Sequence, residues 1–141
     1  MKRNLILGVS FLLIMVISAC IVYQISPTGT KQTIRVFSGY LICQACACAP
    51  HGMAASGVNV LKNPEKHPVS CLKMPSCVAS GFGIFINNPN SGYTYYKFDK
   101  KGSALAYQNI VCKTVKMDHL LVEVTGKLQN GIIIVNGIEE K

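Results

Sequence analysis

The chain has 141 residues and a formal net charge of +8; half of its residues are apolar, and it carries seven cysteines, three histidines and no tryptophan. Setting aside Lys2 and Arg3, the cations after residue 20 are scattered lysines and a single arginine rather than a basic stripe, which argues against a nucleic-acid partner. The excess suits an anionic membrane or cell-wall surface, and an ordinary solvated face accounts for it as well.

The chain opens on a charged n-region, Lys2-Arg3, followed by the uncharged run LILGVSFLLIMVISA from Leu5 to Ala19. Such a segment targets a membrane. Ile17-Ser18-Ala19-Cys20 reads as a lipobox, an aliphatic residue and two small ones before a cysteine that is lipidated. The apolar run also continues to Ile25, long enough for an uncleaved helical anchor in which Cys20 is an incidental small residue. Either way residues 1–25 are a signal peptide with lipobox or a membrane anchor, and charge bias places the rest of the chain outside the cytoplasm. The expected location is therefore extracytoplasmic and membrane-tethered. Residues 26–32, with Pro27 and Gly29, form a tether, and 33–141 is one small domain of mainly β structure.

Within that domain, residues 34–43 are rich in β-branched and aromatic side chains and suit a strand, with Gly39 a candidate bulge or bend. Residues 44–80 lack apolar periodicity and read as a long irregular insertion, with one short helix starting near Pro68. Strands at 81–88 and 93–98 flank the turn cluster Asn88-Pro89-Asn90-Ser91-Gly92 and form a hairpin. Ser103 is a candidate N-cap for a helix whose inward stripe uses Leu105, Ile110 and Val111 or Cys112. Two last strands, 120–129 and 132–138, join through Asn130-Gly131, a strong hairpin signal. A helix between the third and fourth of five strands is the element order of an OB-like barrel.

Six cysteines lie beyond the leader: Cys43, Cys46, Cys48, Cys71, Cys77 and Cys112. They support three readings. An even number in a small exported domain points to structural disulfides, each contributing roughly 2 to 4 kcal/mol. Cys46 and Cys48 are too close for an easy bridge to each other, so at least one reaches to Cys71, Cys77 or Cys112. As a metal site, Cys43xxCys46 has the spacing of a zinc knuckle, Cys48 and His51 add donors in the same loop, and His67xxxCys71xxxxxCys77 supplies an imidazole and two sulfurs. Thiolates of this kind select zinc or copper(I). Met53 and Met74 stand beside these groups, as thioether donors or as ordinary core filler. The third reading, thiol-disulfide exchange through Cys43 and Cys46, lacks the helix and the βαβ pattern that activate a CxxC. Position 47 is Ala, so CxxCH haem attachment is absent.

His119 reads as a surface or edge residue, and Asp99, Asp118 and Glu123 form no carboxylate pair. Neither a nucleophile elbow nor a phosphate loop is present, and no catalytic or cofactor-binding residue is assigned.

The segments SGYLIC, HPVSC, CVASGFGIFI, YYKFD, LLVEVTGKL and IIIVNGI resemble a group of bacterial exported OB-type barrel domains of unknown function that carry a Cys/His-bearing insertion after the first strand. The resemblance spans residues 34–138 and implies fixed positions at Cys43, His67, Cys71, Cys77 and Gly81, with Cys46, Cys48 and Cys112 as additions. The plan of an N-terminal anchor and exported OB barrel is also similar to the haem chaperone of cytochrome c maturation. The His-Asp-Glu-Asn-Tyr segment of that chaperone is missing here, as the chain ends Gly137-Ile138-Glu139-Glu140-Lys141.

The expectation is a non-enzymatic, membrane-tethered protein that binds copper or zinc through Cys43, Cys46, Cys48, His51, His67, Cys71 and Cys77. The alternatives are a disulfide-stapled OB module for a protein or cell-envelope ligand and a thiol-disulfide oxidoreductase.

Overall fold

The computed structural model describes residues 33–141; the leader, Cys20 and the tether lie outside the described residues. Five strands rich in β-branched and aromatic residues, β1 (Arg35–Cys43), β2 (Phe82–Asn88), β3 (Gly92–Phe98), β4 (Leu121–Gln129) and β5 (Ile132–Glu140), close into a ring in the order β1-β2-β3-β5-β4. Neighbours are antiparallel except β3 and β5, which meet in parallel at Lys97↔Ile132 and Phe98↔Ile133. Val122 and Val124 on β4 alternate with less buried residues, as do Ile133 and Val135 on β5, the period-2 pattern of strands with one face inward.

β1 reaches both of its neighbours by changing partner along its length. Arg35 to Tyr40 pair with β4, and Tyr40 to Cys43 pair with β2. Gly39 stands next to the changeover, where a Cβ would lie 2.5 Å from the Phe85 carbonyl oxygen. The bend expected there is thus a close approach between backbones that admits only glycine. The register irregularity of the sheet falls instead between Thr125 and Gly126, in the β4–β5 pair.

The insertion is more ordered than its composition suggests. It holds three short α-helices, α1 (Gln44–Ala47), α2 (Val69–Leu72) and α3 (Pro75–Ser80), with 3-10 turns at Pro50–Gly52 and Pro64–Lys66. Of these, α2 is the helix anticipated near Pro68. Each is too short to persist alone and lacks a side-chain cap, so tertiary contacts must hold it. The Gln44 amide donates to the Gly81 carbonyl at 2.8 Å and the Ala45 amide to Ser80 Oγ at 3.0 Å, which fastens α1 to the end of α3. The Val69 amide donates to the Met117 carbonyl at 2.8 Å, tying α2 to the loop before β4. Ala54, Val60, Val69 and Leu72 share one apolar core with ring residues Leu41, Ile84 and Phe85. The consequence for β1 is that alternation stops at its end: Leu41, Ile42 and Cys43 are all buried because both faces are covered.

The helix between β3 and β4 starts earlier than Ser103. Asp99 is its cap, accepting from the Gly102 amide, and α4 (Lys100–Leu105) runs on into a π-helical turn over Ala106–Val111. Ser103 Oγ instead accepts from the Phe82 amide at 3.1 Å and so braces the start of β2. Ile110 and Val111 face the core while Cys112 is exposed, which settles that alternative in favour of Val111. Among the described residues no helix is long and apolar enough to cross a membrane.

Candidate metal site

Four sulfurs and one imidazole converge where β1 runs into the insertion. Cys43 ends β1 and occupies the cap position of α1; Cys46 lies within α1, Cys71 in α2 and Cys77 in α3, and His67 precedes α2. All five are buried, from 0% exposure at Cys43 to 3% at Cys46, Cys71 and Cys77. Sγ of Cys46 is 3.7 Å from that of Cys71 and 3.8 Å from that of Cys77, and the Cys71–Cys77 separation is 3.9 Å. Zinc–sulfur bonds of about 2.3 Å place the sulfurs of a tetrahedral site about 3.8 Å apart. The three sulfurs therefore form one face of such a tetrahedron.

Two residues compete for the fourth vertex. Cys43 Sγ is 2.7 Å from Cys77 Sγ, too short for a tetrahedral edge and too long for a bond. His67 has donor atoms within 4.8 Å of those of Cys46 and Cys71, and both of its ring nitrogens are buried without a hydrogen-bond partner. Leaving a buried polar group unpaired costs about 1–3 kcal/mol. A bound cation would supply a partner for one of the two nitrogens, the acceptor of the neutral ring. Cys43, Cys46 and Cys77 form the other convergent triplet, and Cys46 belongs to both.

The protonation states point the same way. The Cys46 thiol is pushed well above its ordinary value by its hydrogen bond with Cys43, by burial and by the charge of Cys43. Burial foremost pushes Cys77 up to about 12 and also raises Cys71. Burial lowers His67, an effect that the Pro68 backbone offsets only in part. These thiols therefore stay protonated and the imidazole neutral, and a cation that took the place of the thiol protons would compensate the thiolate charge. A short helix does begin after Cys43, contrary to expectation, while the raised Cys46 is not itself a low-pKa exchange thiolate.

The remaining expected donors lie elsewhere. Cys48 and His51 are exposed and belong to neither triplet; His51 has a φ of +55° in its tight turn. Cys46 and Cys48 are two positions apart at a helical turn, and residues at that spacing point to opposite sides. Met53 and Met74 are partly exposed, at 48% and 42%, and are not core filler. Met74 lines a cavity of about 320 Å³ with Ala55, Ser56, Pro68, Ser70 and Cys71, so this cavity reaches the cluster at Cys71. His119 is exposed, its Nδ1 2.8 Å from Asp118 Oδ1. No disulfide joins the six described cysteines.

One neighbour of the cluster carries no signal in the sequence. Tyr95 on β3 buries its phenol oxygen without a partner, and its ring is close enough to Gly83 that a Cβ there would lie 2.7 Å from the hydroxyl. Burial first, then the charges of Cys48, Cys43 and Cys46, raise its pKa, which keeps the phenol protonated. Only its place in the β2–β3 register, opposite Phe85, reveals it.

No protein-family model, curated protein or solved structure matches the chain.

Proposed function

We propose that the protein is a non-enzymatic, membrane-tethered extracytoplasmic binder of one soft or borderline metal ion, zinc or copper(I), held by Cys46, Cys71, Cys77 and His67. The observation that carries this reading is the buried, unpartnered His67 within 4.8 Å of Cys46 and Cys71, two of three sulfurs spaced as a tetrahedral face. Burial of every donor favours holding an ion over turning a substrate over, because closed four-ligand sites are structural or storage sites. Thiolate and imidazole donors match zinc and copper(I) rather than magnesium or calcium. The order of ring strands, with α4 between the third and fourth, supports an OB-type barrel as the scaffold. The leader motif Lys2-Arg3 through Cys20 supports export and tethering.

Titration of the reduced protein with zinc and with copper(I), read by elemental analysis after desalting, tests the proposal. One equivalent per chain is expected, and Cys46→Ser and His67→Ala should each weaken retention about 100-fold or more. A reduced, folded protein that retains neither ion would overturn it.

A further inference from the structure

The five buried donors divide unequally, and that division has a chemical meaning in an oxidising compartment. Cys43 and Cys77 are the closest sulfur pair among the described residues that hydrogen-bond through sulfur, at 2.7 Å, and an S–S bond asks them to approach by about 0.7 Å. Their backbones are already held near one another: Cys43 pairs with Phe82 across β1 and β2, and the Gln44 amide donates to Gly81, four residues beyond Cys77. Removing these two cysteines leaves Cys46, His67 and Cys71, the second convergent triplet, intact.

We infer that Cys43 and Cys77 are a disulfide site, and that a chain that folds with this bond formed presents a three-donor copper(I) site of Cys46, Cys71 and His67 in place of the four-donor zinc site of the reduced chain. The inference rests on the metal-binding reading. The oxidant is a disulfide of a thiol-exchange protein or of a small thiol. The thiolate of Cys43 attacks one of its sulfurs, giving a mixed disulfide and expelling a thiolate; the thiolate of Cys77 then attacks the Cys43 sulfur and expels the second. Two thiols become one disulfide, the oxidant's disulfide becomes two thiols, and the two protons pass to the expelled thiolates. Because Cys43 and Cys77 are 0% and 3% exposed, exchange belongs to the chain before the insertion closes over them.

The metal preference comes from donor count. Zinc takes four donors in a closed site, and loss of Cys77 leaves three. Copper(I) accepts two thiolates and an imidazole in a trigonal arrangement, and thiolates are the ligands that select it. The cavity that ends at Cys71, with the thioether of Met74 in its wall, opens onto a ligand that survives the oxidation.

The test uses the exported wild-type protein, purified without reductant. Peptide mapping after alkylation should find Cys43 joined to Cys77, and free thiols at Cys46 and Cys71. Titrated with copper(I), this oxidised form should bind one equivalent, and its zinc affinity should fall at least 100-fold below that of the reduced form. The double variant Cys43→Ser/Cys77→Ser, which cannot form the bond, should show the same preference for copper(I). A different pairing involving Cys46 or Cys71, an absent Cys43–Cys77 bond, or undiminished zinc affinity in the oxidised form would each overturn the inference. Failure of the reduced protein to bind any metal would instead overturn the metal-binding reading itself.

Discussion

The ring and the insertion solve the same problem, ordering a chain, by different means. In the ring, Ile84, Phe85, Val122, Val124, Ile133 and Val135 are removed from water while ladders of backbone hydrogen bonds satisfy the strands. The insertion has helices of four to six residues without side-chain caps, and what it buries most completely besides Val60, Val69 and Leu72 is a set of thiols and an imidazole. Apolar burial rewards a chain regardless of ligand, whereas a cluster of metal donors rewards it fully only when the ion is bound. The ring is therefore expected to stand without metal and the insertion to depend on it.

The most damaging break on the ring side is Phe85→Ala. Phe85 is 1% exposed and packs edgewise on Tyr93 and at a tilt on Tyr95, so truncation should cost about 3–5 kcal/mol and lower the melting temperature with or without metal. Chelation of the loaded protein is the complementary break. Hydrogen exchange should accelerate across residues 44–80 by an order of magnitude or more, while β4 and β5 keep their protection. Uniform acceleration would erase the distinction between the two regions.

A smaller effect separates the ring from its own helix. Asp99 Oδ1 accepts from the Gly102 and Val135 amides, each at 3.1 Å, joining α4 to β5. Asp99→Ala should cost about 1–2 kcal/mol by denaturant titration and leave metal retention unchanged.

Acid should act on the insertion through His67. Its pKa in the fold is below the ordinary 6.5, so under acid conditions the unfolded chain binds the proton more readily. The stability of the metal-free protein is then intact above 6.5 and lost as pH falls below it toward the lowered pKa. The raised Cys77 acts at the other end: its contribution is present below the ordinary 9.0 and is lost as pH rises toward about 12. Melting temperature against pH should thus decline on both sides, and His67→Phe should flatten the acid limb. The smallest effect is expected at Cys48→Ser and His51→Ala. Both residues are exposed and outside the cluster, so neither metal affinity nor stability should change measurably.

The difference between the regions also explains what is legible in the sequence. Period-2 alternation and the Asn130-Gly131 turn place β4 and β5 within a few residues of their ends, because strand burial writes itself into residue order. The start of α4 is harder to locate because Asp99 looks like the close of a hairpin, while the hydroxyl of Ser103 is committed to β2. Nothing periodic marks a four-residue helix, so residues 44–80 read as irregular. The donor types at the site are visible, but choosing Cys46 over Cys48 depends on which side of a helical turn each occupies. Choosing His67 over His51 depends on burial under the loop before β4, where the His119 amide donates to the Glu65 carbonyl at 2.7 Å.

X-ray absorption at the zinc edge of the reduced, zinc-loaded protein reads the ligand set directly. Three sulfurs at about 2.3 Å and one imidazole nitrogen at about 2.0 Å are expected, with the nitrogen shell lost in His67→Ala. A shell of oxygen and nitrogen without sulfur, or a histidine signal that survives His67→Ala, would contradict the account.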